Sequence, residues 1–297
     1  MTRAAADRFR ILAAAALFST GGAAIKATTL SGWQVACFRS GIGALAILAM
    51  APEARCGWTW RTPLVGVAYA TTVLLFVVAN KLTTSANTIY LQSTAPIYLL
   101  LLGPWLLKEP LRPRDLAFLG ALVVGLALLF LGVEPVRRTA TNPVLGNVLA
   151  AASGLSWAFT LVGLRWLTAR SPGAANPAVS ATVAGNVIAC VVALPFAFPV
   201  AATRPLDWGL VAFLGTIQIA LAYVLLTRSV RSVTALEAAL LLLLEPVLNP
   251  WIAYAVHGEV PGSLAIAGAA VILVATAVHA LRASTGASLG GGSDAAK

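Results

Sequence analysis

Thr84 to Arg114 reads TSANTIYLQSTAPIYLLLLGPWLLKEPLRPR, and the pattern of this stretch occurs a second time in the chain. The second copy, Val233 to Gly262, reads VTALEAALLLLLEPVLNPWIAYAVHGEVPG. A shift of 150 residues carries Thr84 onto Thr234, Pro96 onto Pro246 and Glu109 onto Glu259. The chain has only 16 Pro and 10 Asp and Glu in 297 residues, so coincidence is a weak explanation. Each copy leads through a Gly/Pro-containing joint into another apolar run, which predicts a repeated pair of helices.

The composition of the chain indicates whether water or lipid surrounds it. Apolar residues make up 59% of the sequence and charged residues 10%, and the mean hydropathy is +0.88. A soluble domain would lack polar surface at this composition, so the sequence predicts an integral membrane protein. The apolar runs are continuous, without the alternation of barrel strands, and they reach the roughly 20 residues that a membrane helix needs. The expected fold is therefore all-α.

The N-terminal segment imitates a secretory signal peptide. Arg3, Arg8 and Arg10 precede an Ala/Leu run that ends near Gly22. Apolar character continues through Ile25 and further apolar runs follow, so an uncleaved first helix is the preferred interpretation.

Ten membrane helices are predicted, joined by short segments rich in Gly, Pro, Ser and Asn. They cover residues 9–28, 33–51, 63–82, 84–107, 115–132, 145–168, 177–199, 207–227, 234–256 and 262–282. The two copies give two five-helix repeats, residues 1–135 and 143–283, and leave 284–297 as a disordered cytoplasmic tail. LAAAALFS at 12–19 and LAAASGLS at 149–156 support this division. Since each repeat has an odd number of helices, the second repeat is inverted relative to the first. Inverted repeats that surround a central cavity are an architecture of transporters.

The distribution of Lys and Arg predicts the orientation. Fourteen of the 20 lie on the side of the N-terminus, five lie on the other side, and Arg39 lies inside a helix. The positive-inside rule therefore places both termini in the cytoplasm of a multi-pass protein of the cell membrane, most simply a bacterial inner membrane. This rule and contact with anionic lipid in the bilayer account for the net charge of +10, so nucleic acid is a poor candidate partner.

Four sequence patterns stand in order along the chain. The opening pattern is LFSTGGAAIK at 17–26, an arginine motif is CFRSGIGALAIL at 37–48, and the paired patterns are ANTIYLQSTAPIYLLLLGPWLLKEPLRPRDLAFLGALVVGLAL at 86–128 and ALEAALLLLLEPVLNPWIAYAVHGEVPGSLAIAGAAVILVA at 235–275. Together they resemble the EamA-type transporters of the drug/metabolite transporter superfamily, nearest to the branch that exports aromatic and other neutral amino acids. Phe18-Ser19 stands where that family often has Trp-Gly, and Lys108-Glu109-Pro110 replaces the commoner Gly-Glu.

The resemblance implies an exporter of small metabolites in which helices one, three, four, six, eight and nine surround a central cavity. Polar and aromatic residues inside these helices are the candidates for its lining, because a polar side chain in lipid is costly unless it faces a cavity or a partner. The candidates are Ser19, Tyr69, Phe76, Asn80, Asn87, Tyr90, Thr94, Tyr98, Ser156, Trp157, Gln218, Tyr223 and Glu237. Four of them, from Asn87 to Tyr98, recur three or four residues apart and so share one face of the fourth helix.

Each candidate also has a structural interpretation. The aromatic residues can serve helix packing, and Ser19 and Ser156 can serve close helix approach. Arg39, Glu237 and Glu245 are the charged residues that fit least well in a loop. Each is either half of a brace between helices or a functional group, such as a proton site or a contact for a substrate amino group.

Pro96 and Pro246 each remove a helix hydrogen bond. They act either as hinges or as static bends of the fourth and ninth helices. The two prolines occupy equivalent positions of the two copies, so the same interpretation applies to both.

Other functional classes find little support. The three cysteines have no metal-site or disulfide spacing. No nucleotide-binding loop, zinc-protease motif or nucleophile–His pair occurs, so the sequence predicts neither an enzyme nor a cofactor, and an integral-membrane enzyme is only a remote alternative. Carriers of cationic drugs and of nucleotide sugars or organic phosphates remain alternatives within the superfamily. Phosphates require several buried cations and only Arg39 qualifies, so an aromatic or neutral amino acid is the expected small-molecule substrate, with the oligomeric state left open.

Overall fold

The computed structural model describes residues 3–106, 113–131, 140–169, 176–200, 203–230, 232–258, 262–264, 266–275 and 278. Its elements in these residues are helices. They are α1 (Arg3–Ser19), α2 (Gly21–Ala27), α3 (Gly32–Met50), α4 (Arg61–Leu82), α5 (Ser85–Gln92), α6 (Ala95–Leu106), α7 (Pro113–Leu131), α8 (Pro143–Ala169), α9 (Pro177–Ala197), α10 (Pro205–Phe213), α11 (Ala222–Ser229), α12 (Ala235–Leu242), α13 (Leu244–His257) and α14 (Ile266–Ala275). A 3₁₀ turn covers Pro52–Arg55, and a π-helical segment, Leu214–Leu221, joins α10 to α11. Glu109, Glu259 and the predicted tail at 284–297 lie outside the described residues.

The prediction of about ten membrane helices is confirmed. Seven helical segments of the described chain are long and apolar enough to cross a bilayer: Ala5–Ala27, Gly32–Met50, Arg61–Leu82, Pro143–Ala169, Pro177–Ala197, Pro205–Ser229 and Glu237–His257. The α5–α6 pair, α7 and α14 supply the other three. The all-α fold in two repeats thus agrees with the sequence.

Three of the predicted helices are interrupted. α1 and α2 are separated at Thr20, α5 and α6 at Ser93 and Thr94, and α12 and α13 at Leu243. The prediction of unbroken helices over 9–28, 84–107 and 234–256 is wrong at these points. The predicted eighth helix, 207–227, is present as one helical segment, Pro205–Ser229, which includes the π segment.

The prolines of the repeated motif explain two of the breaks. Pro96 and Pro246 lack the N–H that would bond the carbonyl four residues earlier. Those carbonyls belong to Gln92 and Leu242, which are the last residues of α5 and α12. The same residue type at the same place in both copies therefore ends the same short helix.

The fourth helix of each repeat also begins at the same cap. Thr84 Oγ1 accepts a hydrogen bond from the backbone N–H of Asn87 at 3.2 Å, and Thr234 Oγ1 accepts one from Glu237 at 3.1 Å. A threonine at this position pairs one of the N–H groups that every helix start leaves free. The repeat in the sequence is therefore also a repeat of local structure.

The two repeats pack as counterparts of each other. α3 packs against α9, which is the second helix of the other repeat. The contact between α4 and α8 has its counterpart in the contact between α11 and α1. In the same way, the contact between α4 and α9 corresponds to the contact between the π segment and α3. The interrupted helices meet as well, α5 on α13 and α6 on α12. Paired contacts of this kind are expected where an approximate two-fold axis relates inverted repeats.

The breaks in the fourth and ninth helices lie near the middle of the bundle. α5 and α12 each have 8 residues, which gives a length of about 12 Å at 1.5 Å per residue. Because inverted repeats start these helices from opposite membrane faces, both end near the midplane of a hydrocarbon layer about 30 Å thick.

Candidate functional site

A small cavity lies where the two repeats meet. Its volume is about 40 Å³, room for roughly three water molecules. Its lining consists of Phe18, Arg39, Thr72, Val73, Phe76, Gln92, Trp157, Gln218, Ile219, Tyr223 and Glu245. These residues come from helices one, two, three, four, six, eight and nine, so the second helix joins the six that the family resemblance implies.

Aromatic rings form one wall of the cavity. The centroid of the Tyr223 ring lies 4.9 Å from that of Phe18, 4.7 Å from Tyr69 and 6.1 Å from Trp157, each in edge-to-face geometry. Such pairs contribute about 0.5–1.5 kcal/mol each beyond the area they bury. We call these four residues the aromatic wall. Because its rings support one another, a planar apolar group in the cavity would meet a surface that is already in place.

Tyr69 is fixed from behind by α9. Asn186 Nδ2 donates to the Tyr69 hydroxyl at 2.8 Å and to the Thr182 carbonyl at 2.9 Å. Gly185 leaves room for the ring, since a Cβ at this position would lie 2.4 Å from Tyr69 Cδ1. The packing of α4 on α9 therefore sets the position of the aromatic wall.

Arg39 enters the cavity from α3 and is only 2% exposed. Its Nη1 donates to Gln218 Oε1 at 3.4 Å, at the long end of the hydrogen-bond range, and no described residue pairs with its Nε. Gln218 belongs to the π segment, which approaches α3 so closely that a Cβ on Gly215 would lie 2.9 Å from the Arg39 carbonyl oxygen. No carboxylate of the described chain forms an ion pair with Arg39, so the brace interpretation is not realised in this conformation.

Glu245 enters the same cavity from the first turn of α13, directly after the break. Its side chain is partly buried, and among the described residues it has neither a hydrogen bond nor an ion pair. The positive end of a helix favours a carboxylate in this position. The cavity therefore contains one cationic and one acidic side chain that do not pair with each other.

A second cavity, of about 10 Å³, adjoins the first and shares Gln92, Trp157 and Glu245 with it. The rest of its lining comes from the two breaks: Ser93, Ala95 and Pro96 on one side and Ala239, Leu242 and Leu243 on the other. Any change in the bend at either break would therefore change the shape of the cavity.

Polar contacts join the two repeats at the end of the bundle that holds the N-terminus. Arg8 Nε donates to Glu237 Oε1 at 2.8 Å, and Arg228 Nη2 pairs with Glu53 Oε1 at 2.7 Å. Ser232 Oγ donates to Asp7 Oδ2 at 2.5 Å. We call these contacts the Arg8 end.

The opposite end of the bundle is joined in the same way. Asp207 accepts hydrogen bonds from the backbone N–H and the hydroxyl of Thr29, at 2.8 and 2.6 Å. Arg204 Nη2 donates to the Ala27 carbonyl at 2.8 Å, and His257 Nε2 lies 2.9 Å from the Ala23 carbonyl oxygen. We call these contacts the Asp207 end. The cavity thus lies between two sets of contacts, each of which links the first repeat to the second.

Glu237 is not a buried charge, contrary to the prediction. It lies in the first turn of α12, its side chain is 34% exposed, and it pairs with Arg8. The helix begins near the predicted residue, so its first turn is at the membrane face and not at the depth of the cavity. The sequence contained a signal for this position, because Thr234-x-x-Glu237 has the spacing of a helix capping box.

Several other predicted residues lie away from the cavity. The hydroxyls of Ser19, Thr94 and Ser156 donate to backbone carbonyls at 2.6, 2.8 and 2.9 Å. Asn87 lies in the capped first turn of α5. Asn80 is fully buried in α4, and neither polar atom of its amide has a partner in the part of the chain that the structure describes. Among the predicted lining residues the structure brings together Phe76, Trp157, Gln218 and Tyr223, with Arg39 and Glu245 beside them.

The predicted common face from Asn87 to Tyr98 is divided by the break. Tyr90 lines a separate apolar groove of about 520 Å³ formed with α13 and α14. Tyr98 is partly buried against the core that contains Trp157. Residues on the two sides of an interrupted helix do not keep the spacing of one helix, so sequence periodicity could not place them together.

Phe18, Thr72 and Gln92 are cavity residues that sequence reasoning missed. Phe18 stands where the sequence departs from the family pattern. Thr72 precedes Phe76 by four residues and so shares its face of α4. Gln92 is a polar residue one turn before Pro96, at a point where a helix was expected to continue.

Cys37 on α3 and Cys190 on α9 lie side by side, with their Sγ atoms 3.7 Å apart, and both are free thiols. Two thiols alone do not make a metal centre. Within the described ranges there is no group of three or more His, Cys, Asp or Glu that could hold a metal ion. The pair instead marks the close contact of α3 with α9.

Comparison with known proteins gives a family. The sequence matches the EamA-like transporter family twice, over residues 9–131 and 144–281. Among curated proteins there is no match. A solved crystal structure of another protein is similar with a TM-score of 0.69 and 20% sequence identity, and the similarity covers 96% of this chain and 99% of the other. At that identity the likeness shows a shared fold.

Proposed function

The chain belongs to the EamA-like transporter family, and from that premise we propose that it exports aromatic and other neutral amino acids by alternating access. Membership makes it a multi-pass membrane transporter of the drug/metabolite superfamily, whose partners are a small-molecule substrate and the lipid bilayer. In the proposed orientation both termini are cytoplasmic, in a bacterial inner membrane, as the positive-inside rule predicts. The Arg8 end then faces the cytoplasm and the Asp207 end the outside.

The aromatic wall is the observation that carries this proposal. The rings of Phe18, Trp157 and Tyr223 contact one another and line one side of the cavity, and Tyr69 supports Tyr223. This side offers stacking and edge contacts to a substrate ring. Amide groups at Gln92 and Gln218 add hydrogen-bonding capacity to the cavity wall. An apolar surface with a few polar groups suits a small amphipathic solute.

The charge of the cavity argues against phosphate-bearing substrates. Among the described residues, Arg39 is the only Lys or Arg in its lining. A nucleotide sugar or an organic phosphate carries two or more negative charges, and a site for it would need several cations or bidentate donors. A neutral solute needs none of these.

The small size of the cavity supports the interpretation that the structure is a closed state of the transporter. Binding sites for small molecules have volumes of about 300–1,000 Å³, whereas this cavity has about 40 Å³. It lies between the Arg8 end and the Asp207 end, and at each of these ends polar contacts join the two repeats. Substrate would enter after one end separates and the bends at Pro96 and Pro246 change, so we assign these prolines as hinges.

Counterflow into proteoliposomes tests the proposal. We expect purified protein to exchange radiolabelled phenylalanine, and Trp157→Ala to slow phenylalanine transport about two- to tenfold more than threonine transport. The factor corresponds to the loss of one ring contact of about 0.5–1.5 kcal/mol.

Trp251→Ala is the matched control, because the Trp251 ring is 72% exposed on α13 and lies away from the cavity. It should slow transport of both amino acids equally or not at all. Equal losses in Trp157→Ala would show that this ring packs helices without contacting substrate. Transport of a nucleotide sugar in place of amino acids would refute the assignment.

A further inference from the structure

The two charged residues of the cavity have unused binding capacity. Arg39 is only 2% exposed, yet among the described residues its Nε finds no acceptor and its one hydrogen bond, to Gln218, is 3.4 Å long. A guanidinium has five N–H donors, and leaving them unpaired in a buried site is unfavourable. Its geometry matches a carboxylate, which can accept two parallel hydrogen bonds. An anionic group in the cavity would therefore complete the coordination of Arg39.

Glu245 has the complementary capacity. An ionised carboxylate can only accept hydrogen bonds, and none of the described residues donates one to it although it borders both cavities. A cationic group with several N–H donors would satisfy it. A simple structural brace between Arg39 and Glu245 would bring the two side chains together, and this structure does not pair them.

The two charges also come from different repeats. Arg39 lies on α3 of the first repeat, whereas Glu245 lies on α13 of the second, at the break after α12. A solute that carries one positive and one negative group would bridge the repeats across the cavity. Its remaining part would lie against the aromatic wall.

We propose that Arg39 binds the carboxylate and Glu245 the ammonium group of the substrate, so that the site selects zwitterionic α-amino acids over molecules that carry only one of the two charges. This inference rests on the proposed function and adds the orientation of the substrate to it. It assigns Arg39 and Glu245 as specificity-determining residues.

Competition by phenylalanine analogues tests this assignment on the unmodified protein. Phenylalanine amide and phenethylamine lack the carboxylate, and 3-phenylpropionate lacks the ammonium group, while all three keep the ring. Each should inhibit counterflow of radiolabelled phenylalanine at least about tenfold more weakly than phenylalanine itself, since each leaves one buried charge unpaired. Equal inhibition by all four compounds would overturn the inference while leaving amino-acid transport in place.

Two variants then test which residue binds which charged group of the substrate. Arg39→Gln should reduce the preference for phenylalanine over its amide to near unity and keep the preference over 3-phenylpropionate. Glu245→Gln should do the reverse. Arg55→Gln and Glu237→Gln are the matched controls, because both residues are outside the cavity and their loss should leave these preference ratios unchanged.

The outcomes separate the two proposals. If the unmodified protein transports no aromatic amino acid, the proposed function fails. If it transports phenylalanine but the Glu245→Gln variant still rejects 3-phenylpropionate as strongly, the assignment of Glu245 is wrong. A variant that fails to fold does not prevent the test, since the analogue series on the unmodified protein supports or refutes selection of the zwitterion by itself.

Discussion

Gly185→Ala should destabilise the protein through a contact that a glycine at this position avoids. A Cβ there would lie 2.4 Å from Tyr69 Cδ1, 2.7 Å from Tyr69 Cγ and 2.8 Å from the Gly66 carbonyl oxygen. Carbon atoms in favourable contact are about 3.5–4.0 Å apart. The ring could turn away, but the backbone of α4 can give way only if α4 and α9 separate.

The magnitude follows from two opposing terms. Overpacking of a well-packed core costs roughly 1–3 kcal/mol, and replacing Gly by Ala inside a helix contributes about 1 kcal/mol in the opposite direction. Because one of the close atoms belongs to the backbone, we expect the upper part of the first range and a net loss of about 1–2 kcal/mol. Displacement of Tyr69 would also move Tyr223, whose ring lies 4.7 Å away, so the aromatic wall should be disturbed.

Gly209→Ala provides the matched control. Gly209 also lies in a helix, but a Cβ there would meet no atom within 4 Å, so the same substitution should stabilise by up to about 1 kcal/mol. Reversible unfolding of both variants in mixed detergent micelles measures the difference, expected at about 2–3 kcal/mol. If Gly185→Ala proves as stable as Gly209→Ala, the close packing of α4 on α9 described above is wrong.

Two further predictions concern the α3–α9 contact and the orientation. Mild oxidation with iodine should join Cys37 to Cys190, because their Sγ atoms are 3.7 Å apart, and mass spectrometry should find the two peptides linked in the unmodified protein but not in Cys190→Ser; absence of the link would argue against the contact. In intact cells a membrane-impermeant maleimide should leave the exposed Cys56 unmodified and should label Thr141→Cys made in a Cys56→Ser background. The opposite labelling pattern would invert the proposed orientation.

The sequence predicts the spans and the repeat well, because both depend on features that tertiary packing does not change. A continuously apolar segment that spans lipid must form a helix to satisfy its backbone hydrogen bonds. Thr84 and Pro96, with their counterparts at 234 and 246, mark the same cap and the same break in both copies. A bend at each proline was predicted, but the end of a helix there was not. An apolar run reads alike whether it forms one helix or two, and a proline can kink a helix without ending it.

The site is harder to predict than the spans. The polar residues from Asn87 to Tyr98 have the spacing of one helix face, so Tyr90 was expected in the cavity. The break after α5 divides that face, and Tyr90 lies in a separate groove. Gln92 was missed for the same reason. Glu237 shows a different limit: a charged residue in an apolar segment can be near the membrane face, and its depth depends on where the helix starts.

The approximate symmetry of the repeats also explains why the cavity needs residues that break it. A two-fold axis through the cavity would offer the same groups on both sides, whereas the amino acid that we propose as substrate presents different groups at its two ends. Shifting Glu245 by 150 residues gives Ala95, and α9, the counterpart of the helix that carries Arg39, contains no charged residue. The repeats therefore share their caps, breaks and packing but differ at the two charges. A double variant that exchanges the two charges, Arg39→Glu with Glu245→Arg, should bind a zwitterion only in the reversed orientation. The ring of the substrate would then point away from the aromatic wall that we expect to hold it.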